Sequence, residues 1–209
     1  MDLKILSPPH GRRDFISKMI SGVAASCFGC KALIAGTWYD KPDLDSQQKF
    51  LSDSGMSYEQ VFKFAFKSWY IRYMKALEAE IGKERFLEML EKAGWKLYEE
   101  SIKSQFRDLK IRDVDSLIAN FWAPMQKSRL WSHTLPIEII KQSPSEGVVK
   151  MSACLVAKVF RENDAGDIGY AAICHADYAV ANAFNPKIKL VRNKCLMKGD
   201  DYCYFEYSL

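Results

Sequence analysis

The chain has 209 residues, 48% of them hydrophobic, and a formal net charge of +4. That size and apolar content suit one globular domain with a core that needs no disulfide staples; six cysteines are too few for a disulfide scaffold but enough for one metal site. The basic residues are scattered and form no stripe with interleaved aromatics, which argues against nucleic acid as a partner, and the 13% aromatic content suits a folded core or an apolar ligand pocket.

In chain order, residues 1–36 read as a leader. Arg12 and Arg13 precede Phe15 and Ile16, with Lys18 beyond, a pattern that resembles the bacterial twin-arginine export signal. The stretch from Met19 to Cys30 is too short and too mild for a membrane span. The resemblance implies the twin-arginine export machinery as a partner. It places the protein in the periplasm or on the outer face of the cytoplasmic membrane. The alternative is an ordinary first helix with two surface arginines on a cytoplasmic protein. Cys27 and Cys30 form a lone C-x-x-C inside this run, a weak signal for redox or metal chemistry. Residues 37–56 carry Gly, Pro, Asp and Ser and read as a linker or irregular segment, and 57–209 as a single domain.

Ser57 with Gln60 makes a capping-box pattern. The spacing of Val61, Phe62, Ala65, Trp69 and Met74 predicts a helix from Tyr58 to Ile81, broken at Gly82. A second helix, Lys83 to Lys103, offers Phe86, Leu87, Leu90 and Leu97 to the core. A third, Asp113 to Leu130, carries Leu117, Ile118, Phe121 and Trp122, with Pro124 expected to kink or end it. The texture then changes. Thr134 to Gln142 and Val148 to Ser152 read as strands, and Ala153 to Glu162 and Asp167 to Ala183 as helices. Lys187 to Leu196 and Tyr202 to Leu209 read as two further strands, joined by Met197 to Asp201. Helices first and strands mostly later predict an α+β domain, with N-terminal helices packed on a C-terminal antiparallel sheet.

Closing the last hairpin symmetrically sets Cys195 opposite Cys203 and Arg192 opposite Glu206. Opposed Cβ atoms lie about 4.5–5.5 Å apart, slightly long for an unstrained disulfide and suitable for two thiolates sharing a zinc. Phe205 continues the same face, so the pair is expected to point inward. Cys154 and Cys174, in or beside helices that should pack on this sheet, could join them in a four-cysteine site. The competing reading is four small buried apolar side chains.

The segment from Val149 to Tyr207 carries the densest family signal. The run F-N-P-K-I-K-L-V-R, followed by L-M-K-G-D-D-Y-C, resembles the L-2-amino-thiazoline-4-carboxylic acid hydrolase family. The resemblance implies a hydrolase that opens a small C–N ring by adding water at the C=N carbon, giving a carbamoyl-cysteine. A more distant similarity is to the small-ligand-binding domain named after 4-vinyl reductase. Its sensor members hold zinc with one acidic residue and three cysteines, the last two separated by seven residues. Cys195 and Cys203 are separated by seven residues, and Cys174 lies twenty-one before Cys195. That similarity implies zinc on Cys154, Cys174, Cys195 and Cys203, with Cys154 roughly in place of the acidic ligand. It also implies a non-catalytic small-molecule binder as the alternative function.

Ring-opening hydrolysis needs a base for water and a proton donor for the ring nitrogen. His175 and Asp177 are the candidates, Asp177 matching the family pattern. On one helix they diverge by about 200°, whereas Cys174 and Asp177 share a face. Cys174 cannot be both a ligand of a closed structural zinc and a free nucleophile. Ser128, Ser132 and His133 lack the G-x-S-x-G context of a serine hydrolase.

Overall fold

The capping box at Ser57 forms as its sequence requires. Ser57 Oγ accepts the Gln60 amide at 3.2 Å, and the Ser57 amide donates to Gln60 Oε1 at 2.7 Å. The structure is a computed structural model that describes residues 55–209; the leader, its Cys27 and Cys30, and most of the linker lie outside the described residues.

Helix α1 begins at this cap and runs through three segments, Tyr58–Phe62, a π-helical Lys63–Tyr70, and Ile71–Ile81. The wider π turn sets Phe62, Phe66 and Tyr70 at four-residue steps along the inner side, with ring centroids 5.8 and 5.9 Å apart. Phe66 and Tyr70 both reach Phe160, at 5.4 and 6.0 Å. The same turn carries Trp69, one of the apolar positions that set the helical spacing, outward, 58% exposed. Gly82, at φ 88°, breaks the helix where predicted. Helix α2, Lys83–Gln105, buries Phe86, Gly94, Ser101 and Ile102. Leu97 falls outside that face and is 43% exposed, a departure from the expected core.

Helix α3 is capped by Asp113, whose Oδ1 accepts the Ser116 amide at 2.8 Å. It runs through Val114–Leu117, a π-helical Ile118–Trp122 and Ala123–Lys127. Pro124 does not end it. Proline lacks only its own N–H and needs space beside the preceding turn, which the π-helical stretch just before it provides. The break comes at Ser128, whose hydroxyl accepts the Trp131 amide and starts helix α4, Arg129–Thr134. Thr134 is therefore helical rather than extended, its Oγ1 donating back to the Leu130 carbonyl at 2.9 Å.

Four strands follow, β1 Ile137–Gln142, β2 Glu146–Met151, β3 Lys189–Lys194 and β4 Cys203–Ser208. They form one antiparallel sheet in the order β1-β2-β4-β3. The fold is thus α+β, helices in the N-terminal part and the antiparallel sheet toward the C-terminus. Between β2 and β3 lie helix α5, Leu155–Arg161, and helix α6. Helix α6 comprises Gly166–Gly169, a π-helical Tyr170–Cys174 and, after His175, Ala176–Phe184. Helix α3 lies close on the sheet at Gly147. A Cβ there would stand 2.3 Å from Ile118 Cδ1 and 2.7 Å from Val114 Cγ1. The Asn185 of the F-N-P run is a structural tie. It donates to the Arg112 carbonyl at 2.6 Å and accepts the Lys187 amide at 3.0 Å.

Candidate functional site

The β3–β4 hairpin keeps its expected register at one end only. Lys194 pairs with Tyr204, so Cys195 and Cys203 follow as neighbours. Farther along, Val191 rather than Arg192 faces Glu206, because the register shifts between Val191 and Lys194. The expected Arg192–Glu206 pair does not form. A bulge bends and turns its strand locally, re-aiming a side chain. Here it sends Arg192 inward, toward helix α6.

Arg192 is the centre of the site. Its side chain is 1% exposed. Nη1 donates to the Cys174 carbonyl at 2.9 Å and to Asp177 Oδ2, forming a buried ion pair. Nη2 donates to Cys195 Sγ at 3.0 Å, and Nε is buried with no hydrogen-bond partner. The guanidinium lies over two rings, 5.2 Å from the Phe205 centroid and 5.6 Å from that of Tyr170. Such a cation is costly to bury unless paired. Burial alone would lower its pKa, but the Asp177 carboxylate and the Cys174 and Cys195 sulfurs outweigh it and hold Arg192 charged.

Asp177 stands in the first turn of the last α6 segment and keeps 24% of its side-chain exposure, so solvent reaches it. Burial pushes its carboxyl up to about 6, against the pull of Arg192. That value lets the group exchange protons near neutral pH.

The cysteines are drawn together in part. All four are free thiols. The neighbouring Cys174 and Cys203 thiols, reinforced by Arg192, lower the Cys195 pKa. The interaction with Cys195 raises Cys174 and Cys203 in turn, with burial adding to the effect. Cys154 caps helix α5, its Sγ accepting the Ala157 amide at 3.2 Å, and burial pushes its thiol up to about 11. Cys203 Sγ accepts the Leu196 amide at 3.2 Å, and Asp200 Oδ2 accepts the Cys195 amide at 2.7 Å. Thiolates are ligands zinc accepts. Yet among the described residues no group of three or more His, Cys, Asp or Glu is disposed to hold a metal ion, and the Arg192 guanidinium stands against Cys195.

His175 turns elsewhere. It links the π-helical and α-helical parts of α6, and its ring packs at 6.0 Å from Trp95 and 5.9 Å from Tyr178, with Nδ1 buried and unpartnered. Arg192 reaches both the backbone carbonyl of Cys174 and the side-chain carboxylate of Asp177. An aromatic wall closes the sheet side. Trp122 Nε1 donates to the Tyr207 hydroxyl at 3.0 Å, and Trp122 lies 4.8 Å from Phe205. Burial raises the Tyr207 pKa, so that hydroxyl stays protonated.

Arg192 is the residue that the reading by spacing assigned to the wrong partner. Its signal was present as the last letter of F-N-P-K-I-K-L-V-R, within a strand otherwise read only for register. The family model described as L-2-amino-thiazoline-4-carboxylic acid hydrolase matches residues 59–207. No curated protein matches the chain.

Proposed function

Because the chain belongs to the L-2-amino-thiazoline-4-carboxylic acid hydrolase family, we propose that it hydrolyses a small C–N heterocycle such as L-2-amino-thiazoline-4-carboxylate, with Asp177 as the proton-transfer group. The observation that carries this reading is the solvent-reachable Asp177 carboxyl, raised to about 6 and held by the buried Arg192. In the proposed reaction Asp177 takes a proton from water as the water oxygen bonds to the C=N carbon. The same carboxyl then returns the proton to the ring nitrogen. The new hydroxyl next passes its own proton, by way of the carboxyl, to that nitrogen as its oxygen becomes a carbonyl and the bond from that carbon to the ring nitrogen breaks, leaving a free amine and the carbamoyl group on sulfur. One water is consumed and the product is a carbamoyl-cysteine. Arg192 positions the carboxylate, and the Trp122–Tyr207 wall limits water on the sheet side. His175 has the weaker claim as donor, since its ring contacts are with Trp95 and Tyr178.

The test is loss of thiazoline-carboxylate on incubation with purified protein. Asp177→Ala is expected to lower kcat by about 10²–10⁴-fold, the usual contribution of a positioned acid–base group. Absence of turnover by the parent protein with any C–N ring substrate would end this reading.

A second reading rests on the convergence of the Cys174, Cys195 and Cys203 thiols and on the backbone N–H groups aimed at Cys154 and Cys203. In it the protein is a non-catalytic small-molecule binder, and Cys154, Cys174, Cys195 and Cys203 hold a structural zinc. Zinc would then supply a cross-link between helices and sheet, and the guanidinium would have to leave Cys195. About one zinc per chain in freshly purified, unchelated protein supports this second reading, and trace zinc removes it.

A further inference from the structure

The outer side of helix α1 has a composition of its own. Phe64, Trp69 and Tyr73 are 61%, 58% and 53% exposed. The π-helical segment aligns them, because a five-residue step joins Phe64 to Trp69 and a four-residue step joins Trp69 to Tyr73. Trp69 and Tyr73 stack, with centroids 6.4 Å apart and planes 6° from parallel. The stretch from Lys63 to Lys75 holds four cations, Lys63, Lys67, Arg72 and Lys75, and no acidic residue. Lys63 is tied back to Glu59 at 2.9 Å and Glu162 at 3.6 Å. Lys67 and Arg72 are exposed beside the rings. Along the chain these cations look scattered; the helix gathers them on one side.

Exposed rings flanked by cations, on a convex helix, match an anionic bilayer surface. Indole and phenol rings sit at headgroup level, an apolar ring reaches the acyl boundary, and lysine and arginine heads meet lipid phosphates. We propose that the outer face of α1 docks the protein on an anionic membrane surface, lying in the interface plane. None of the described helices is long and apolar enough to cross a membrane, so the contact made by this face is interfacial. Two other occupants fit less well. A symmetric second copy would set one cation row against its twin, where like charges repel. A nucleic-acid strand is typically held along a positively charged groove, and these rings stand on a convex surface. The proposal does not depend on the hydrolase reading.

The test is flotation of the full-length protein with phosphatidylglycerol–phosphatidylcholine vesicles and with phosphatidylcholine vesicles alone. Binding is expected to the anionic vesicles and to weaken as salt is raised. The triple variant Phe64→Ser, Trp69→Ser, Tyr73→Ser and the charge variant Lys67→Glu, Arg72→Glu are each expected to lose at least tenfold in vesicle partitioning, with unchanged far-UV circular dichroism. Because these residues are exposed, the fold should survive both changes, and the second set keeps the test valid if the first misfolds. Unchanged partitioning in the variants overturns the proposal and puts any binding on another segment. Binding to a single-stranded oligonucleotide without vesicle binding overturns it. So does a dimer that both variants dissociate.

Discussion

Two ion pairs of the same chemistry sit in opposite surroundings. Arg192 and Asp177 meet between a strand bulge and a helix, with the arginine side chain 1% exposed. Lys92 and Glu88 meet on helix α2 at i and i+4, 2.6 Å apart, with side chains 76% and 62% exposed. The surface pair exchanges water for a partner at little net gain. The buried pair has given up its water, so each charge depends on the other. The difference teaches where chemistry can be tuned. Lys92 lowers the Glu88 pKa mainly through a hydrogen bond, whereas burial drives Asp177 the other way, up to about 6.

The largest effect should come from breaking the buried pair. Arg192→Met leaves Asp177 without its cation and is expected to cost about 3–5 kcal/mol, seen as a lower urea midpoint. The double variant Arg192→Met, Asp177→Leu should recover much of that loss, because no charge is then stranded. A double variant as unstable as the single one would show that the loss comes from packing around Phe205 and Tyr170 rather than charge.

The next effect is on pH. The folded carboxyl of Asp177 titrates near 6, above its ordinary 3.8, so the folded protein holds a proton that the unfolded chain releases. The stability this group contributes is full below about 4 and is lost as pH rises through about 6. Activity should run the opposite way. If the carboxylate is the base, kcat/KM falls as pH drops below about 6. Thermal midpoints and kcat/KM measured across pH 4–8 check both signs, and Asp177→Asn should flatten the stability change.

The smallest effect belongs to the surface pair. Lys92→Met leaves Glu88 in water, and the urea midpoint should stay within measurement error of the parent. A clear loss there would mean that the contrast between the two pairs is one of packing, not of solvation.

Much of the fold was legible from local chemistry. The box at Ser57 and Gln60, the break at Gly82 and the class of the domain all rest on neighbours a few residues apart. Trp69 fits the helical spacing yet faces outward, and Leu97 is exposed against expectation, because a helical period assigns a face only while the helix keeps that period and its expected neighbour. The π-helical turn alters the first, and the packing of α2 on its Phe86–Gly94–Ile102 side decides the second. Asp177 and the four cysteines could be named from residue type and motif.

The partner of Arg192 could not be read that way. An uninterrupted hairpin gives it Glu206; one shifted register position gives it Asp177, fifteen residues upstream on another element. A bulge has no strong local signature, and its cost is recovered only by the buried contacts it creates. The sequence by itself therefore determined most of the helices and the cap at Ser57, the α+β class, the family and the residue types of the site. Tertiary structure alone decided which of those residues meet, because burial and register depend on the whole packed chain.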